Sequence, residues 1–188
     1  FVTEAPILMF FSVQSARYEV ARQVHDGVMF EIYHDPSAHN IDRMMTAMEA
    51  SLDYYQTAFG PYQFRQARIV EYPDYAGYAQ SFPNTFAWSE GLGFIADLSD
   101  PAKVDYVTYV GAHEFAHQWW AHQVIGSAQQ GSTLLSETLA QYSALMVMER
   151  GMERLEELPL QRVENQLYIH YQKGGLVMYL LRDQIGEE

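Results

Sequence analysis

Five residues in the second half of the chain, His113-Glu114-Phe115-Ala116-His117, place two imidazoles four residues apart with a carboxylate between them. On a helix, such a pair is ~40° apart around the axis and one turn along it, so both rings can converge on one cation. Glu114 stands ~80° from the bisector of the pair, too far round to ligate but near a water beside the ion, where hydrolysis needs a general base. The pattern points to metal-assisted hydrolysis; the alternative is His and Glu on the solvated face of an ordinary helix.

The chain has no cysteine, which excludes thiolate zinc sites, disulfide frameworks and cysteine nucleophiles, so a metal site must use His and carboxylate. Catalytic zinc takes three protein ligands and keeps one position open. Glu137 is the first carboxylate after His117. It falls in or just after the first turn of a following helix, where negative charge also suits the helix dipole. His122, five residues past His117, points ~140° away from it and is read as structural or as outer support of the site. His25, His34 and His39 have no paired spacing and are assigned no role.

The elements that must position these residues are legible as patterns. Residues 7–13, 17–22 and 28–33 are rich in β-branched and aromatic side chains and predict strands of an antiparallel sheet edge. From Ser37, apolar residues Ile41, Met44, Met45, Met48, Leu52 and Tyr55 recur at three and four until Gly60-Pro61 stops a helix. Its methionines read as core filler. A strand at 67–72, a Tyr-, Pro-, Gly- and Asn-rich loop at 73–84 and a strand at 86–96 follow. Asp100-Pro101 predicts the start of the metal-binding helix and Gly126 its end, about seven turns later. A second helix is capped by Ser132 or Thr133 and ends at Gly151, and a third covers 168–186.

With 48% hydrophobic residues in 188, the chain can bury a core as one compact domain. A net charge of -13 without a Lys/Arg cluster excludes the usual footprint of nucleic-acid binding and suits either plain solubility or attraction of amine-bearing substrates. The longest apolar runs, 6–11 and 144–148, fall short of the ~20 residues of a membrane span. The start, without Met and without a signal pattern, reads as part of a longer protein.

Together these segments resemble, over nearly the whole chain, the aminopeptidase N and leukotriene-hydrolase group of gluzincin peptidases. That family has HExxH followed by Gln-Trp, then a glutamate in Asn-Glu-Gly-Phe-Ala. This chain has His117-Gln118-Trp119 and Leu135-Ser136-Glu137-Thr138-Leu139-Ala140, with nineteen residues between His117 and Glu137, one more than the family, an excess the 126–132 loop can absorb. The resemblance implies one zinc ion on His113, His117 and Glu137, with Glu114 as general base.

Ala87-Trp88-Ser89-Glu90-Gly91 resembles the family's Gly-x-Met-Glu-Asn segment, whose glutamate binds the substrate's α-amine from an edge strand, although the Asn is absent. Glu90, with Ser89 and Gly91, is then the substrate-binding set; a peptide could pair with the strand while its ammonium meets the carboxylate. Tyr171-Gln172-Lys173-Gly174 resembles the family's Tyr-Glu-Lys-Gly, whose tyrosine donates a hydrogen bond to the tetrahedral intermediate.

The implied fold is α+β, a thermolysin-like zinc metallopeptidase catalytic domain with an N-terminal mixed or antiparallel sheet and a helical half carrying HExxH. Residues 1–23 would end a preceding β-domain and 24–188 form the catalytic domain, without the family's C-terminal helical domain. The implied activity is removal of N-terminal residues from peptides with a free N-terminus. The alternatives are a thermolysin-like endopeptidase and a non-catalytic zinc- or peptide-binding module of a membrane transport protein. The wording of 119–125 and 140–146 resembles a bacterial branch fused to ABC-transporter-permease-like segments, which implies covalent attachment to a membrane part and an extracytoplasmic location.

Overall fold

The computed structural model describes residue 3 and residues 5–100, 103–127, 132–151 and 174–185. Asp26 and Gly27, both at positive φ (45° and 78°), form a two-residue turn between β1 (Glu19–His25) and β2 (Val28–His34). Asp-Gly is the dipeptide that a tight hairpin of right-twisted strands favours. The strands pair antiparallel from Glu19 opposite His34 to His25 opposite Val28.

From β2 the chain crosses through α1 (Ile41–Phe59) to β3 (Gln66–Tyr72), which runs parallel to β2. Next come β4 (Ala79–Phe82) and β5 (Thr85–Ser89). The later strand, β5, pairs parallel with β3, and β4 folds back antiparallel on its outer side. The result is a five-stranded mixed sheet of order β1-β2-β3-β5-β4, with β4 at one edge.

Alternation along the strands turns Phe30, Ile32, Ala67, Ile69, Phe86 and Trp88 to one buried face. On it α1 lays the stripe Met44, Met48, Leu52 and Tyr55. Beside α1 runs α2 (Tyr106–Ala116), buried from Val110 to Ala116. A helix this enclosed must be apolar around most of its circumference, which makes its His and Glu conspicuous. The Phe115 ring is 5.5–6.4 Å from those of Phe30, Tyr55, Tyr62, Phe86 and Trp119, and Tyr55 Oη donates to Ala112 O at 2.9 Å. Next, α3 (Ser132–Gly151) packs on α2, and α4 (Gly174–Ile185) packs on α3. The molecule is thus α+β with a mixed sheet.

Several boundaries differ from the sequence expectation. Residues 7–13 are not a strand; they are an almost unbroken apolar run, but the sheet ends at β4 and β1 without pairing them. The 73–84 segment is not wholly loop, since it contains β4. The strand expected over 86–96 stops at Ser89, and Glu90–Phe94 tighten into a π-helical turn. A Cβ on Gly93 would lie 2.6 Å from Trp88 Nε1, so only glycine admits this turn over the buried indole. The metal-binding helix starts at Asp105, not Asp100: Asp105 accepts from Thr108 N–H at 3.0 Å and Thr108 Oγ1 at 2.7 Å, and pairs with Arg43 at 3.1 Å. It ends at Ala116 and gives way to turns well before Gly126.

Candidate metal centre

The enclosed helix α2 presents His113 and His117 to α3, which supplies Glu137 from its second turn. His113 Nε2 and His117 Nε2 are 3.2 Å apart, and Glu137 Oε2 is 3.3 Å from the first and 3.4 Å from the second. Ligand atoms of a tetrahedral zinc with bonds of ~2.0–2.2 Å stand ~3.3–3.6 Å apart. The three atoms therefore match three corners of such a site. Glu137 Oε2 is shut off from solvent without a conventional hydrogen-bond donor, as suits an atom that ligates a cation.

The rest of the ligand sphere holds these groups in orientation. His117 Nδ1 is 3.1 Å from Trp120 O. Donating a proton to that carbonyl leaves Nε2 with its lone pair toward the cluster. Ser136 Oγ donates to the same carbonyl at 2.5 Å. Burial opposes charge on His117, but the adjacent Glu137 and Glu114 outweigh it and raise its pKa. Burial likewise opposes charge on Glu137, yet the two imidazoles hold its pKa far below the usual carboxylate range.

Glu114 is buried. Burial lifts its pKa above the ordinary range against the pull of His113 and His117, and the backbone N–H of Ser81 in β4 also favours its charged form. A carboxylate raised in this way is a better base than an exposed one and can accept and return a proton. The residue that sequence reasoning missed is Ser81, because β4 lay inside an assigned loop. A signal was present: Ala79 to Phe82 and Thr85 to Trp88 flank a two-residue Pro83-Asn84 turn, as in a hairpin.

The other sequence-derived residues divide. His122 follows the end of α2 and is outside the convergent trio. Its ring nitrogens are buried, and burial followed by His117 lowers its pKa to about 4 against a smaller opposing pull from the Ser81 backbone. Glu90 opens the π turn at the end of β5, where it acts electrostatically on Glu71. Ser89 Oγ donates to Asp74 Oδ1 at 2.9 Å, and the same Asp74 carboxylate fills the space beside Gly91. These three thus gather around Asp74 and Glu71. Tyr171 is outside the described residues.

Human endoplasmic reticulum aminopeptidase 2 is 26% identical to this chain over 195 residues, across 86% of the chain and 20% of that protein. The relationship is aminopeptidase-like. The chain spans about a fifth of that relative's length, and no family model matches it. With the His113, His117 and Glu137 cluster, this similarity supports a hydrolase with a metal-binding site. Among the described residues no helix is long and apolar enough to cross a membrane.

Proposed function

We propose that the chain is a zinc-dependent peptidase domain of thermolysin-like architecture that removes N-terminal residues from peptides. The observation carrying this reading is the convergence of His113, His117 and Glu137 at 3.2–3.4 Å with buried Glu114 on the same helix. A zinc ion held there supplies Lewis-acid polarisation of a carbonyl and of a water. Glu114 takes the proton of the attacking water and passes it to the departing amine. Tyr171 donates a hydrogen bond to the oxyanion, and Glu90 meets the substrate ammonium.

Zinc content and hydrolysis of amino-acid anilides, measured together for wild type and Glu114→Gln, test the proposal. Zinc in both, with turnover reduced ~10²–10⁴-fold in the variant, is the expected result. Failure of the wild type to bind zinc would overturn it.

A second reading, endopeptidase cleavage, is favoured by one observation: Glu90, the carboxylate proposed for the substrate ammonium, follows the interior strand β5 and is not on the edge strand β4. Peptides with free and N-acetylated ends separate the two. Preference for the free amine, lost in Glu90→Gln through a raised KM, supports aminopeptidase action; equal cleavage of both supports the endopeptidase.

A further inference from the structure

Gln118 follows the metal ligand His117 directly and is 0% exposed. Its amide does not face the metal cluster; it crosses to the β4–β5 hairpin. Nε2 donates to Ser81 Oγ at 2.8 Å and to Phe82 O at 2.9 Å, and Oε1 accepts the Asn84 N–H at 2.8 Å. The orientation of the amide is dictated by its partners, since Phe82 O can only accept and Asn84 N–H can only donate. Both amide hydrogens and the carbonyl oxygen are therefore used.

The hairpin needs such an anchor. At four residues, β4 pairs only with β5 among the strands, at the edge of the sheet. Its turn holds Asn84 in the left-handed region at φ 56°. A strand so short and one-sided is a weakly held element. The backbone of Ser81 in that strand nonetheless favours the charged form of Glu114.

We propose that Gln118 is a positioning residue that ties β4 to the end of the metal-binding helix and so fixes the placement of the β4–β5 hairpin, with Ser81, beside the Glu114 carboxylate. The inference rests on the peptidase reading above. Gln118 acts through Ser81 and the hairpin turn, and leaves the metal ligands to their own supports, Trp120 and Ser136.

The zinc-loaded protein tests this with Gln118→Met, which keeps length and apolar bulk but removes all three hydrogen bonds, and with Gln118→Asn, which keeps the amide one methylene short. Zinc affinity should stay within ~3-fold of wild type while kcat falls ~10- to 100-fold, the scale of a small misplacement of reacting groups. Amide exchange at Asn84 should accelerate at least ~10-fold relative to β3, with the Asn variant between the other two. If Gln118→Met does not fold, Gln118→Asn carries the test on the same readouts. Unchanged kcat, unchanged exchange at Asn84, or zinc affinity lost in step with activity would each overturn the clamp. A zinc-loaded wild type that hydrolyses no peptide would overturn the peptidase reading itself, and the inference with it.

Discussion

At the scale of single residues, the site balances burial against charge. Glu137 is held ionised by two imidazoles, and in return His117 keeps its proton to higher pH than a free histidine. Zinc must displace that proton, so affinity should fall as pH drops through the raised His117 pKa and recover above it. Zinc titrations from about pH 5 to 8 check this; a flat affinity would contradict the coupling. Glu137→Gln keeps the shape and removes the charge, and should weaken zinc binding by more than the ~10–100-fold typical of a lost outer partner. A carboxylate raised by burial, as Glu114 is, loses its basic form as pH falls, so turnover at saturating zinc should decline on the acid side. The decline should be absent from the residual activity of Glu114→Gln. Much of this was legible in the sequence because a helical i, i+4 pair is a local relation. The Gln118 to Ser81 bond, across a separation of 37 residues, has no local signature.

At the scale of elements, the expectations that held were those with sharp punctuation. Gly60-Pro61 marks the end of α1, and α3 opens at Ser132, one of the two residues expected to start it. The misses came where tertiary contacts chose between comparable local signals. Asp100 and Asp105 both offer a helix cap, and Arg43 from α1 pairs with Asp105. The strand β4 is too short to stand out against its Tyr- and Gly-rich approach, and gains its identity from β5 and Gln118. The π turn arises where Gly93 lies on Trp88, a contact that no periodicity reveals. Gly93→Ala should therefore cost stability, since the clash is with a fully buried indole and with Met44 Cε at 2.8 Å. Overpacking of this kind is worth about 1–3 kcal/mol, readable as a lowered denaturant midpoint at constant slope. Zinc affinity should be untouched, because Gly93 belongs to a different element from any ligand. An unchanged midpoint would mean that the turn relaxes freely.

At the scale of the whole molecule, the cluster joins two parts of the fold with unequal support. The helix α2 is embedded in the core with the sheet and α1, whereas α3 packs on its outer side and carries Glu137. A cation bound by both helices stabilises their docking, and binding to the native state alone adds RT ln(1 + [L]/Kd) to folding stability. At free zinc ~1,000-fold above Kd this amounts to ~4 kcal/mol. For a chain of this length, that is a rise in Tm of roughly 8–16 °C. Thermal melts with zinc and with chelator should differ by that margin for wild type and by much less for Glu137→Gln. In chelator the variant should still melt below wild type, because the lowered Glu137 pKa means that its charge stabilises the metal-free fold through the two imidazoles. A wild type whose Tm ignores zinc would mean that the three atoms meet for a structural reason, and the proposed chemistry would lose its foundation.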